Sequence, residues 1–232
     1  MKFSHISDTH LGLIQYGLEE REQDIYDSFN QAIDISIRDK VDFVIFSGDI
    51  FDRSNPPNDA VLLMMQQLML LKEKGMGVVP LDLTKDETIV DAVNTVLEKE
   101  GRIDVLVNNA GYGSYGSVEE VSIEEAKRQF EVNIFGLARI TQLVIPTMRK
   151  QKSGRIVNIS SMGGKIYTPF GAWYHATKFA LEGWSDCLRI ELKDFGIDVV
   201  IVEPGGIQTE WGDIAMDGLK KVSGNGPYAS MV

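Results

Sequence analysis

Strand-length apolar runs alternate with amphipathic helical patterns along most of the chain, and this alternation limits the folds it can adopt. Residues 41–47 (VDFVIFS) form one such run, and residues 19–40 before it repeat an apolar side chain every fourth position from Ile25 to Ile37. A helix with one apolar stripe packs against a sheet, and a short apolar strand fits a parallel sheet covered on both faces. The same patterns predict strands at 2–7, 41–47, 77–83, 103–108, 155–160 and 198–203, and helices at 19–40, 59–74, 86–100, 123–150 and 172–195. The sequence therefore predicts an α/β fold of three layers, with helices on both faces of a doubly wound parallel sheet.

Charge and cysteine content exclude several classes of protein. The 232 residues carry a net charge of −11, which argues against a nucleic-acid or anionic-membrane surface because phosphates require clustered Lys and Arg. The longest apolar run, 61–71, is broken by Gln66 and Gln67 and is much shorter than the roughly 20 residues of a membrane helix. Cys187 is the single cysteine, and the N-terminus has no leader pattern. We therefore expect a cytoplasmic protein without membrane or nucleic-acid partners.

A tyrosine and a lysine four residues apart form the clearest chemical motif. Tyr174 and Lys178 (YHATK) stand at the start of a predicted helix, so their side chains lie on the same face. A phenol with a pKa near 10 is a weak base at neutral pH, and an adjacent ammonium favours the phenolate. Ser161 follows the preceding strand and could hydrogen-bond a substrate oxygen. The pattern predicts a proton-transfer site.

These residues resemble the active-site motif of the short-chain dehydrogenase/reductase family, and the resemblance extends from about residue 78 to the end of the chain. Its catalytic set is matched by Ser161, Tyr174, Lys178 and Asn133. Further motifs of the family are matched by NNAG at 108–111, by Asp82 in LDLT and by PGGIQT at 204–209. The cofactor-binding residues that the resemblance implies are Asp82, Asn109, Ala110, Gly111, Tyr174, Lys178, Pro204, Gly205 and Thr209.

The resemblance implies hydride transfer between NAD(P) and an alcohol or carbonyl carbon. Tyr174 would transfer the proton, Lys178 would lower the pKa of Tyr174 and hold the ribose, Ser161 would orient the carbonyl, and Asn133 would support a water-linked proton path. The family's helical dimer surface corresponds to residues 123–150 and 172–195, which implies a homodimer or a tetramer.

The phosphate-binding loop of that family is missing. Members begin with a strand and a TGxxxGxG loop, whose glycines let the backbone approach the pyrophosphate. This chain has SDTHLGLIQYGLEE instead, with three acidic residues. Two like charges about 4 Å apart repel by about 4 kcal/mol at an effective dielectric of about 20, so we expect weakened cofactor binding. The substrate-covering segment that follows the PGxxxT loop in the family also looks shortened here.

The first third of the chain carries a different motif. Asp8 and His10 follow the first strand and Asp49 follows the second, and this ligand set suits Mn, Fe or Zn. These residues resemble the metallophosphoesterase superfamily, and residues 1–76 resemble the start of an archaeal double-strand-break repair nuclease. The GNHD or GNHE motif and the later histidines of that superfamily are absent. A single weakly bound Mn at the three residues and polar loops without a ligand are the alternatives.

The two resemblances together predict a chimera. Segments 1–76 and 77–232 would form one Rossmann-like domain with strand order 3-2-1-4-5-6, in which the first strand pairs with residues 104–108. Three functions follow, in order of preference. The first is an engineered or recombined scaffold without robust activity. The second is a residual NAD(P)-dependent oxidoreductase, and the third is a metal-dependent phosphoesterase or nuclease remnant.

Overall fold

The computed structural model describes residues 3–7, 9–14, 18–41, 43–47, 50–52, 56–76, 79–206 and 211–232. They form two compact units, Met1–Val79 and Pro80–Val232. No helix in this described part of the chain is both long enough and apolar enough to cross a bilayer.

The first unit alternates two strands and two helices: β1 (Phe3–Ser7), α1 (Glu19–Arg38), β2 (Phe43–Ser47) and α2 (Asn58–Glu73). β1 and β2 pair in parallel. The apolar stripe of α1 supplies Phe29 and Ile33 to a core that also contains Leu11 and Leu71. Beyond the strands, Leu11 forms a bridge to Phe51, so the loops that follow β1 and β2 run side by side.

The second unit contains three strands in the order β3-β4-β5, all parallel. Its elements are α3 (Asp86–Glu100), β3 (Val105–Asn108), α4 (Ile123–Phe130), a π-helical segment (Glu131–Gly136), α5 (Leu137–Gln151), β4 (Gly154–Ile159), a 3-10 turn (Met162–Gly164), α6 (Ala172–Leu192), a 3-10 turn (Lys193–Phe195), β5 (Ile197–Val202) and α7 (Trp211–Ser223). Its core contains Ile156 and Val199 of the sheet together with Val144 and Met148 of α5.

The parallel α/β fold is confirmed, and two details of the sequence analysis need correction. Residues 79–83, part of the predicted third strand, form no strand. Pro80 offers no N–H for a ladder, and Asp82 instead accepts a hydrogen bond from the Thr84 N–H at 3.0 Å in a turn before α3. From Gly212 onward the sequence is small, polar and weakly patterned, which predicts only partial order, but these residues include most of helix α7, which buries Leu219 and Ser223.

The strand order is supported only in parts. The structure pairs β1 with β2, which are neighbours in the predicted order 3-2-1-4-5-6. The order β3-β4-β5 agrees with the predicted neighbours 4-5-6, because these three strands are the predicted strands 4, 5 and 6. The complete order, the pairing of the first strand with residues 104–108 and the single shared domain stay predictions.

A chain of buried hydrogen bonds joins the ends of β3 and β4 to two helices. Asn108 donates to Asn158 Oδ1 at 2.8 Å and to Thr141 Oγ1 of α5 at 3.1 Å. Asn158 donates in turn to Ser185 Oγ of α6 at 2.8 Å. Asn108 and Asn158 are paired in the strand register, so α5 and α6 lie on the same face of the sheet. Buried polar groups that satisfy one another in this way fix one arrangement of the strands and helices.

Substitution of Asn158 by Ala should destabilise the second unit by about 2 kcal/mol, because Asn108 and Ser185 would remain buried with lost partners. The three Trp residues lie at 173, 184 and 211, so Trp fluorescence during urea unfolding reports on this unit alone. Asn94→Ala, at an exposed position of α3, is the control. Equal urea midpoints for both variants would contradict this role of the network.

Candidate active site

Tyr174 and Lys178 occupy the first two turns of α6 at the carboxyl end of the sheet, as predicted. The Tyr174 side chain is buried, and Lys178 Nζ lies 5.9 Å from the centre of its ring. Lys178 Nζ donates to the carbonyl oxygen of Ile159, the last residue of β4, at 2.9 Å. An ammonium has three N–H donors, so this anchor leaves Lys178 able to donate to a ligand as well.

Burial controls the protonation of both side chains. It raises the pKa of Tyr174, and a hydrogen bond with Ser161 partly opposes this shift. Burial also lowers the pKa of Lys178 from 10.5 to about 8. The family resemblance implies that Lys178 lowers the pKa of Tyr174, but desolvation of the phenol dominates in this structure and the net shift is upward.

Ser161 is held in place by the turn that follows β4. Its Oγ accepts a hydrogen bond from the Gly163 N–H at 3.0 Å, which caps the 3-10 turn Met162–Gly164. Buried His175 supports the same turn, since its Nδ1 lies 2.9 Å from the Gly163 carbonyl oxygen. The Thr168 N–H donates to His175 Nε2 at 3.0 Å. These two partners require a neutral imidazole with its proton on Nδ1. In the sequence, His175 lies inside the YHATK motif, and no pattern there assigns it a role.

Asn133 lies in the π-helical segment, within what the sequence predicts as a continuous helix. Segments of this type insert an extra residue into a helix and are frequent at functional sites. Asn133 Oδ1 accepts from the Tyr112 N–H at 3.1 Å, and its Nδ2 donates to the Tyr112 carbonyl oxygen at 2.9 Å and to Thr177 Oγ1 at 3.1 Å. The amide therefore joins the loop after β3 to α6, and both of its N–H groups have protein partners.

A second tyrosine forms an aromatic wall beside the site. The rings of Tyr115 and Tyr174 lie 5.9 Å apart between centroids and are tilted by 33°. Burial and the neighbouring Tyr174 raise the pKa of Tyr115 to about 12, so it remains a neutral phenol at physiological pH. Sequence reasoning missed Tyr115, because an aromatic residue in a glycine-rich loop has no periodicity that would place it.

Most of the predicted cofactor residues lie on the loops after β3 and β5. Ala110 and Gly111 are exposed, and a side chain at position 111 would meet Asn133 Oδ1 at 3.1 Å. Pro204 accepts a hydrogen bond from the Met162 N–H at 2.9 Å, and exposed Gly205 leaves open space beside it. Asn109 is partly exposed directly after β3, whereas Thr209 lies outside the described residues.

Asp82 lies in the turn before α3. Hydrogen bonds from Thr84, with help from Lys85, lower the pKa of Asp82 to about 2. The carboxylate is partly exposed and has oxygen lone pairs beyond those that these bonds use.

These residues fit the nicotinamide and ribose part of a dinucleotide. Gly205 leaves an open, backbone-lined surface at the carboxyl end of β5, where ligands bind in parallel α/β sheets. Lys178 adds N–H donors next to Tyr174.

The predicted metal site can be followed at one residue only. His10 is buried, and its Nδ1 lies 3.9 Å from Asp52 Oδ1. Asp8 and Asp49 lie outside the described residues. Among the residues that the structure does describe, no group of three His, Cys, Asp or Glu side chains could hold a metal ion.

Two family models match the chain. The model of short chain dehydrogenases matches residues 50–217, and that of calcineurin-like phosphoesterases matches residues 1–80. Oxidoreductase BOA17 of Botryotinia fuckeliana is 41% identical over 138 residues, which are 60% of this chain and 50% of the relative. The chain spans about half the length of the curated relatives it matches.

Two solved structures are also similar to this chain. A short-chain dehydrogenase from Streptomyces avermitilis superposes with a TM-score of 0.64 at 34% identity, covering 90% of this chain and 66% of that protein. ElxO with NADP bound superposes with a TM-score of 0.63 at 25% identity, covering 94% of this chain and 79% of that protein.

Buried Lys178 should make the stability of the fold depend on pH. Its pKa is 10.5 in an unfolded chain and about 8 here. Between these values the unfolded chain binds more protons at this residue, so its contribution to the free energy of unfolding rises with pH. Below about pH 8 the charged, buried lysine lowers the free energy of unfolding by about 3 kcal/mol at most.

Lys178→Met should therefore stabilise the protein at pH 7, and this gain should shrink as the pH approaches 10.5. Urea unfolding at a series of pH values measures the effect. Lys221→Met, at an exposed position of α7, controls for the loss of one positive charge. A difference between Lys178→Met and the parent that does not vary with pH would contradict the burial of the charge.

Proposed function

Because this chain belongs to the short-chain dehydrogenase family, we propose that it is an NAD(P)-dependent oxidoreductase that interconverts an alcohol and a carbonyl compound. The observation that carries this proposal is the convergence of Ser161, Tyr174 and Lys178 at the carboxyl end of the parallel sheet. Tyr174 hydrogen-bonds Ser161, and Lys178 Nζ lies beside its ring.

A bound nicotinamide supplies or accepts the hydride, and the chain's own residues handle the proton. In the reducing direction, Ser161 Oγ–H donates a hydrogen bond to the carbonyl oxygen of the substrate. The Tyr174 O–H bond then breaks, and its proton goes to that oxygen as the alcohol forms. The phenolate left on Tyr174 is stabilised by the Lys178 ammonium, while the single O–H of Ser161 stays with the substrate oxygen. In the oxidising direction the same groups act in reverse.

Support for the cofactor comes from the donors of the site and from the relatives. Lys178 has N–H groups beyond its bond to Ile159 and would hold the ribose hydroxyls. Asp82, Asn109, Ala110, Gly111, Pro204 and Gly205 would line the remaining surface. ElxO, which is 25% identical to this chain over the aligned residues, has NADP bound.

The family match favours this function over the inert scaffold that the sequence analysis placed first. We retain the chimeric origin as part of the proposal, since the phosphoesterase and dehydrogenase models match the beginning and the later part of the chain. The missing glycine loop would then raise the concentration of cofactor needed for turnover, without removing the proton-transfer residues.

We extend the proposal to self-association through the helices at 123–151 and 172–192. Phe135 and Phe179 on these helices are 56% and 45% exposed. Burial of such side chains against a second copy would stabilise a homodimer or a tetramer.

Tyr174→Phe should reduce turnover with NADPH or NADH at least a hundredfold, because the variant keeps the ring but loses the proton that the reaction moves. Oxidation of the reduced cofactor at 340 nm, with a panel of ketones and aldehydes, measures turnover. Tyr167→Phe is the matched control, because it also removes a phenol hydroxyl but at a side chain that is 83% exposed. Turnover in the parent that survives Tyr174→Phe would rule out the proposed role of this residue.

A further inference from the structure

A buried carboxylate lies one helical turn beyond Lys178. Glu182 on α6 is 6% exposed, and its Oε2 lies 2.9 Å from Lys165 Nζ. Apart from this ion pair, neither carboxylate oxygen has a hydrogen-bond partner within the described part of the chain. A carboxylate out of contact with water requires nearby positive charge. Lys165 supplies it by direct contact, and Lys178 lies one turn earlier on the same helix.

The turn after β4 is shaped to admit this carboxylate. A side chain at Gly164 would approach Glu182 Cγ to 2.9 Å and Ser160 Oγ to 3.0 Å. Glycine at position 164 therefore allows Glu182 to pack under the turn that holds Ser161. Lys165, the next residue, closes the ion pair from the surface, where its side chain is 52% exposed.

We infer that Glu182, held by Lys165, is a positioning residue for the Tyr174–Lys178 pair, and that its carboxylate attracts the Lys178 ammonium across one turn of α6. The inference rests on the proposed function for the use made of Lys178, but the interaction of Glu182 with Lys178 exists without cofactor. Burial lowers the pKa of Lys178, and Glu182 is the charge that opposes this shift.

Other charged groups near α6 have different partners or face solvent. Glu203, after β5, lies 3.5 Å from Lys165 and is 41% exposed. Glu125 of α4 lies 3.1 Å from the Tyr112 hydroxyl. The remaining charged residues of the elements packed on α6 are exposed, namely Glu124, Lys127, Arg128, Glu131, Arg155, Lys193, Asp194 and Asp198. The neighbouring titratable phenols are Tyr174 and Tyr115.

The titration of Lys178, followed by NMR of its ε-methylene group in the cofactor-free protein, tests the inference. The Lys178→Met spectrum assigns the signal. Glu182→Gln keeps the shape of the side chain and removes its charge, so the midpoint should fall by about one pH unit or more. Glu182→Asp should restore part of this shift. Glu203→Gln, which alters the other partner of Lys165, should leave the midpoint unchanged. An unchanged midpoint in folded Glu182→Gln would overturn the inference.

If Glu182→Gln does not fold, a variant at the surface residue Lys165 tests the same inference. Lys165→Met removes the cation that pairs with Glu182 at 2.9 Å, so the carboxylate acts on Lys178 alone and the midpoint of the Lys178 titration should rise. No movement in Lys165→Met would also overturn the inference. These measurements do not require turnover. An inactive parent whose Lys178 still responds to Glu182 would contradict the proposed function and leave the role of Glu182 intact.

Discussion

The hydrogen bond between the side chains of Asn108 and Asn158 is the contact on which the arrangement of the second unit depends. These amides lie side by side at the carboxyl ends of β3 and β4, and each also bonds a hydroxyl on one covering helix. An apolar core alone tolerates small shifts of its helices, whereas a chain of directional bonds fixes one register. The register determines where α6 begins relative to the end of β4. The positions of Tyr174, Lys178 and Ser161 follow from it.

The active site is built from groups whose burial is unfavourable on its own. Lys178 is bonded to the Ile159 carbonyl in a region where its charge is costly, and buried Glu182 lies one turn further along α6. The opposite charges of Lys178 and Glu182 reduce the free-energy cost of burying each other. Lys165, which is half exposed, contacts Glu182 from the surface. Such arrangements are common at functional sites, where burial and a specific charged neighbour shift the pKa of a side chain.

Much of this organisation follows from the sequence, for identifiable reasons. Helices α1, α3 and α6 begin within a residue of the predicted positions, since their apolar periodicity is strong and Gly or Asp marks their ends. The third strand was predicted from hydrophobicity alone, and Pro80 and the Asp82 turn prevent it over residues 79–83. The π-helical segment around Asn133 leaves no trace in a helical pattern. Glu182 looks like an ordinary solvent-exposed acid in the sequence, because its burial depends on Gly164 in a distant turn.

The second unit should still bind a nicotinamide cofactor although the chain lacks the family's glycine-rich loop. Isothermal titration of NADPH and NADH into the purified chain measures this binding. We expect saturable binding of one cofactor per chain, weakened in Lys178→Met. A protein that unfolds cooperatively, and is therefore folded, but gives no binding heat at millimolar cofactor would show that the second unit does not bind the cofactor. The Ser161, Tyr174 and Lys178 side chains would then form a proton-transfer site without a cofactor to serve.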